Sequence, residues 1–288
     1  MRNGRHPPGL GERPRGGPQN ESQAMSRIDQ AFKRVKSEGR SALIPFVMAG
    51  DPDLEVTEDL VLKMAESGAD MIEVGVPFSD PIADGPTIQA ASQRALQNGV
   101  DLKAIFLLSK NLNGIPVPLI LMTYFNPVIQ YGLQVFVEHC KESEISGVIV
   151  PDLPPEEAAA WVKEARSADL DTIFLTAPTS PPDRIRLVSR VSRGFIYHVS
   201  ITGVTGARKE LADGLKRDVL RVKENSNKPV AVGFGISTPE QAKEVSRFAD
   251  GVIVGSAIVK IIEENLGRSD LVSKIGDFVS CLGEALKP

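Results

Sequence analysis

The chain has 288 residues, 42% of them hydrophobic and 24% charged, with a formal net charge of −4. That length can bury a large core, and the charge balance lacks the basic footprint of a nucleic-acid binder or a membrane-surface helix. No apolar run approaches the roughly 20 residues needed to span a bilayer, so the reading is a soluble, cytoplasmic protein.

In chain order, residues 1–24 come first and differ from the rest. Pro7, Pro8, Pro14 and Pro18 share this segment with several glycines and few apolar side chains. Such a composition cannot bury enough surface to offset the entropy of ordering, so a disordered extension is expected. It has no apolar core of a secretory signal. Its arginines leave plastid targeting as a minor reading, beside a tag or a mis-set start with Met25 as the first residue.

From Ser26 onward, short apolar runs alternate with amphipathic stretches. The runs are Ala42–Val47, Met71–Val76, Leu119–Met122, Gly147–Val150, Thr172–Leu175, Gly194–His198, Val230–Val232 and Gly251–Val254. They are rich in Ile, Val and Phe and bounded by Gly, Pro or Asp, the pattern of parallel strands buried on both faces. Between them, Leu54–Glu66, Ile88–Asn98, Asp101–Leu112, Gln134–Glu142, Pro155–Ser167, Pro182–Arg190 and Pro239–Arg247 carry apolar residues at helical spacing. Asp101, Pro155 and Thr238-Pro239-Glu240 supply helix-start signals. Repeated strand–helix order predicts an open doubly wound sheet or a closed barrel. The first strand leads into Met48-Ala49-Gly50-Asp51-Pro52 and not into GxGxxG, which disfavours a dinucleotide-binding sheet. A single α/β domain over residues 25–288, a (β/α)8 TIM barrel, is therefore predicted.

Cys140 and Cys281 are far apart and read as two buried, inert thiols. His6, His139 and His198 form no paired spacing, so no metal site is expected.

In a barrel, chemistry collects where the strands end. Glu73 interrupts the second apolar run. A carboxyl there is either held by a buried partner or is a general acid/base with its pKa raised by apolar neighbours. Asp84 follows in Pro77-Phe78-Ser79-Asp80-Pro81-Ile82-Ala83-Asp84-Gly85-Pro86. Alone, an Asp before Gly is a turn residue. Above the same strand as Glu73, it makes a carboxylate pair whose two environments can drive the protonation states apart. The sixth, seventh and eighth runs are followed by Thr202-Gly203-Val204-Thr205-Gly206, Gly233-Phe234-Gly235-Ile236-Ser237 and Gly255-Ser256-Ala257. Glycine turns at helix starts expose backbone N–H groups, and three of them on consecutive late strands point to a phosphorylated ligand.

The stretch from Ile72 to Gln89 closely resembles the signature of the tryptophan synthase α-chain family. Ala42 to Pro52, Thr123 to Pro127, Val150 to Pro154, Ser200 to Ala207, Gly233 to Ser237 and Val254 to Ala257 resemble the same family, so the likeness runs from about Ser26 to Asn265. The resemblance implies a lyase of amino-acid biosynthesis that splits indole-3-glycerol phosphate into indole and glyceraldehyde 3-phosphate by a retro-aldol step. It implies Glu73 as the acid/base that protonates the ring carbon, and Asp84 as the carboxylate facing the indole nitrogen. It implies Tyr197 beside Glu73, and Phe46 and Met122 as walls of the indole pocket, Met122 standing where a leucine is expected. Gly206, Phe234, Gly235, Gly255 and Ser256 are implied as the phosphate cradle, and Thr205 as part of a mobile loop that positions Asp84. Phe46, Met122, Tyr197 and His198 also admit a purely structural reading.

The resemblance further implies a β subunit that receives indole through a tunnel, in a tetramer of two α and two β chains. Loop 77–81 and Asn126-Pro127-Val128 are implied as surfaces against it. Pyridoxal phosphate would belong to that partner, and no cofactor is expected in this chain. A stand-alone indole-3-glycerol-phosphate lyase and a non-catalytic activating subunit are the alternative readings.

Overall fold

The computed structural model describes residues 25–200, 208–233 and 235–288. Among them, strands β1 (Ala42–Met48), β2 (Ile72–Gly75), β3 (Leu119–Met122), β4 (Ile145–Ile149), β5 (Asp171–Thr176), β6 (Ile196–Val199), β7 (Val230–Gly233) and β8 (Gly251–Val254) pair in parallel in chain order. Strand β8 returns to β1, with Ala42 opposite Gly251 and Ile44 opposite Ile253, and closes the barrel. The predicted TIM barrel is thus the observed fold.

Helix α1 (Arg27–Ser37) precedes the barrel. Helices α2 (Leu54–Glu66), α3 (Pro86–Gln97), α4 (Leu102–Asn111), α5 (Phe125–Tyr131), α6 (Leu133–Glu142), α7 (Ala159–Ser167), α8 (Pro182–Val191), α9 (Arg208–Glu224), α10 (Pro239–Ser246), α11 (Ser256–Glu264) and α12 (Leu271–Ala285) follow. Local chemistry sets many of their starts. Asp53, Asp101 and Thr238 accept backbone N–H groups at the heads of α2, α4 and α10, and proline opens α3, α8 and α10. The start expected at Pro155 lies instead at Ala159, because residues 155–157 form a turn.

Alternation along each strand divides the core in two. Leu43, Val47, Ile72, Val74, Leu121, Val148, Val230, Val232 and Val252 face the helices. Ala42, Ile44, Met71, Ile120, Ile149, Ile173, Tyr197, Ala231 and Ile253 fill the barrel interior. Residue 73 continues the inward-facing positions, so Glu73 points into the barrel. Helix α1 closes the N-terminal end by adding Ile28, Phe32 and Val35 to the interior cluster.

That closed end also holds carboxylates, each with cationic and neutral donors. Asp70 accepts hydrogen bonds from Arg34 at 2.6 Å, from Arg40 at 2.6 and 2.9 Å, and from the Leu43 N–H at 2.9 Å. Asp171 accepts from Ser26 Oγ at 2.6 Å and pairs with Arg193 at 3.1 Å. Asp250 takes Lys223 at 2.9 Å and the Val230 N–H at 2.8 Å. The cysteines depart from expectation: Cys140 is buried, whereas Cys281 is exposed. Leu282 and Val279 turn inward on α12 and leave Cys281 on the solvent face. His198 faces away from the barrel interior and bonds Thr176 Oγ1 through Nδ1 at 3.1 Å. No described helix is long and apolar enough to cross a membrane.

Candidate active site

One cavity opens at the C-terminal end of the barrel, lined by Phe46, Glu73, Asp84, Gly85, Ile88, Met122, Tyr197, Gly235, Ile236, Ile253, Gly255 and Ser256. The two expected carboxylates, the expected aromatic and apolar walls, and part of the expected anion cradle therefore meet in a single space.

Glu73 sits in β2 opposite Phe46 of β1 and Ile120 of β3. It is 1% exposed, and its Oε2 has no hydrogen-bond partner among the described residues. Burial, helped by the nearby charge of Asp84, pushes its pKa up to about 8. At neutral pH this carboxyl holds its proton and can donate it. Two glycines let the surrounding rings close in. A Cβ on Gly75 would lie 2.6 Å from Phe46 Cζ, and one on Gly233 would lie 2.1 Å from Tyr197 Oη. Any other residue at either place would displace an aromatic wall of the cavity. Burial and the charges of Glu73 and Asp84 hold the Tyr197 phenol well above its ordinary pKa, so it stays protonated.

Asp84 is half-buried in the loop between β2 and α3. Burial raises its pKa to about 6, against a lowering interaction with the Tyr124 hydroxyl. At pH 7 Asp84 is therefore ionised while Glu73 is not, as chemistry that moves a proton beside a developing positive charge requires. The loop is held at several points. The Tyr124 hydroxyl accepts the Ala83 N–H at 2.9 Å, and the rings of Tyr124 and Phe78 lie 5.2 Å apart. Ser92 Oγ on α3 accepts the Phe78 N–H at 2.9 Å and donates to the Phe78 carbonyl at 3.0 Å. Gln89 donates to the Asp84 carbonyl at 2.8 Å.

Across the cavity, Gly235 adopts φ +78°, which favours glycine. Gly255 and Ser256 stand at the head of α11. A helix start presents backbone N–H groups with no intrahelical partner, and its dipole favours an anion.

A family model for the tryptophan synthase alpha chain matches residues 32–280. The tryptophan synthase alpha chain of Citrifermentans bemidjiense is 51% identical over 263 residues, which cover 91% of this chain and 98% of the relative. The chain belongs to the tryptophan synthase alpha chain family. The alpha chain of Thermoanaerobacter pseudethanolicus is 47% identical, covering 91% of this chain and 100% of its own length. Among solved structures, tryptophan synthase subunit alpha from Legionella pneumophila matches at TM-score 0.85 and 36% identity, covering 91% of this chain and 99% of that one. A chain of Mycobacterium tuberculosis tryptophan synthase matches at TM-score 0.83 and 37% identity, with 91% and 99% covered.

Thr205, Gly206 and Phe234, expected in the mobile loop and the phosphate cradle, lie outside the described residues. Two positions enter the site without having been singled out in the sequence. Tyr124 holds the Asp84 loop, although Thr123 to Pro127 carried the family resemblance with no role attached to the tyrosine. Ser92 looks like an ordinary polar residue on α3. It is buried, and only the fold reveals that its hydroxyl closes a ring with the Phe78 backbone.

Proposed function

We propose that this chain, as a tryptophan synthase alpha chain, cleaves indole-3-glycerol phosphate to indole and glyceraldehyde 3-phosphate. The observation that carries the reading is a buried, proton-bearing Glu73 sharing one cavity with an ionised Asp84 and the helix-start glycine segment at Gly255.

In this reading neutral Glu73 delivers its proton to the indole carbon that bears the glycerol side chain. The positive charge that appears on the ring is balanced by the Asp84 carboxylate beside the ring nitrogen. The bond between that carbon and the side chain then breaks, and its electrons restore the aromatic ring. The adjacent side-chain hydroxyl becomes the aldehyde and gives up its proton to the Glu73 carboxylate, which restores the starting state. Phe46, Met122 and Ile253 pack the indole faces, and Tyr197 packs beside Glu73. Backbone donors at Gly235, Gly255 and Ser256, with Gly206 and Phe234, hold the phosphate, and Thr205 helps to set Asp84.

The same reading assigns residues 25–288 to one catalytic barrel in the cytoplasm, behind an extension at 1–24. It gives the chain a β subunit as partner, which carries pyridoxal phosphate and takes up the indole; this chain needs no cofactor of its own. Ile82 is 82% exposed and Ile129 is 50% exposed, and both lie at the cavity end, apolar surface suited to such a partner. Incubating the purified chain with indole-3-glycerol phosphate, with and without a β subunit, tests the proposal. Indole and glyceraldehyde 3-phosphate should form in equal amounts, faster with the partner present. No product under either condition defeats it, and full speed alone would make the chain a stand-alone lyase.

A further inference from the structure

Arg94 lies on α3, outside the cavity, yet it joins the elements that carry both halves of the site. Its Nε and Nη2 donate to the two oxygens of Asp51 at 2.7 and 2.9 Å, and its Nη1 donates to Glu263 at 3.1 Å. Asp51 is wholly buried in the loop that follows β1, the strand that supplies Phe46. Glu263 belongs to α11, whose first residue is Ser256. Helix α3 itself starts immediately after Asp84 and Gly85. A single guanidinium therefore ties the helix behind Asp84 to the helix behind Ser256, through a buried anchor beneath both.

The rest of the contact reinforces this grip. Asn98, at the other end of α3, donates to the Gly50 carbonyl at 3.3 Å and also to the Pro52 carbonyl. Gly50 has φ +86°, and a Cβ there would lie 2.4 Å from Val100 Cγ2, so the loop sits hard against the end of α3. The planar fork of arginine can hold both Asp51 oxygens and still reach Glu263, which an ammonium cannot do with the same geometry. Glu263 is near the far end of the nine-residue α11, so the helix that Arg94 holds at one end carries Ser256 at the other.

We infer that Arg94 is a positioning residue that fixes the distance between the carboxylate half of the site and the anion-binding half. This rests on the reading of Gly255 and Ser256 as a phosphate cradle. A substrate long enough to touch both halves should feel the loss of Arg94, whereas ligands that touch only one half should not.

The experiment compares the parent chain with Glu263→Ala, which spares the buried Asp51 pair, and with Arg94→Lys. Lyase turnover is measured with a β subunit, and binding of inorganic phosphate and of indole to each chain by calorimetry. The expected result is a fall in kcat/KM for indole-3-glycerol phosphate of about fivefold for Glu263→Ala and about tenfold for Arg94→Lys. Phosphate and indole should each still bind within about twofold of the parent. Two results overturn the inference: kcat/KM unchanged in both folded variants, or phosphate affinity falling as far as kcat/KM does, which would mean damage to the cradle itself. Lack of turnover in the parent would instead defeat the function reading and is distinguished by the same assay.

Discussion

Asp70 and Glu73 lie three residues apart, Asp70 just before β2 and Glu73 within it, and both are almost wholly removed from water. Asp70, at the closed end, is gripped by Arg34, Arg40 and the Leu43 N–H. Glu73, facing the cavity, has apolar walls, an oxygen with no hydrogen-bond partner among the described residues, and a second carboxylate for company. Burial of a carboxyl is costly at either place. Donors offset it at Asp70. Glu73 Oε2 has no hydrogen-bond partner among the described residues, and burial favours the protonated form of the group. The barrel thus gives one functional group two surroundings: donors that fasten it at Asp70, and at Glu73 an apolar pocket that suits the acid role proposed for it.

Removing the acid should give the largest effect. Glu73→Gln keeps the shape and the burial but has no proton to give. Lyase turnover with a β subunit should fall at least about 10³-fold, toward the upper range for loss of a general acid. Calorimetry should show phosphate binding little changed. A variant within about tenfold of the parent would remove Glu73 from the mechanism.

The opposite end should answer in stability and not in rate. Asp70→Ala removes the buried carboxylate that Arg34, Arg40 and the Leu43 N–H share and should lower unfolding free energy by about 1–3 kcal/mol. Urea titration measures this, and the specific activity of the folded fraction should match the parent. If Asp70→Ala cost rate and not stability, the division between the two ends would fail.

The same contrast has a pH signature. The pKa of Glu73 moves from the ordinary carboxyl value of 4.5 to about 8 on folding. Between those limits the native state binds more protons at this site than the unfolded state does. Stability from this site is therefore fully present below about pH 4.5 and declines as pH rises toward 8. Glu73→Gln should accordingly be more stable than the parent at pH 8, by on the order of one to a few kcal/mol, with the difference vanishing in acid. Denaturant titrations at pH 5 and 8 check this, and equal stability at both would mean that Glu73 is not held neutral.

How much of this contrast was legible in the sequence follows from what each part depends on. Each strand shows as an apolar run because parallel strands covered on both faces need continuous Ile, Val and Leu. Glu73 stands out for the same reason, as the one carboxyl inside such a run. Helix α1 was not singled out, since its value lies in Ile28 and Phe32 plugging a barrel that closes only in three dimensions. The start signal at Pro155 belonged to a turn, because proline followed by acidic residues suits either. Thr205, Gly206 and Phe234 were named through family likeness and lie outside the described residues. Tyr124 and Ser92 are pairwise contacts across the chain, which no local pattern encodes.

Tyr124 offers the mildest test and the one most specific to the open end. Its hydroxyl accepts the Ala83 N–H and lowers the pKa of Asp84, while burial raises it to about 6. Tyr124→Phe keeps the ring that packs 5.2 Å from Phe78 and removes only the oxygen. Asp84 should then titrate higher. The acid limb of the kcat/KM profile, set by Asp84 gaining a proton, should move up in pH, and the basic limb, set by Glu73 losing one, should move little. Because the two carboxylates interact, the limbs report the pair, so the diagnostic quantity is the movement of one limb relative to the other. One lost hydrogen bond of about 1 kcal/mol moves the limb by well under one pH unit, so the rate should fall by less than about twofold at pH 7 and by about threefold at pH 6. A profile that drops uniformly without shifting would mean that Tyr124 merely packs the loop, and the electrostatic division between the two halves of the carboxylate pair would then have to come from burial alone.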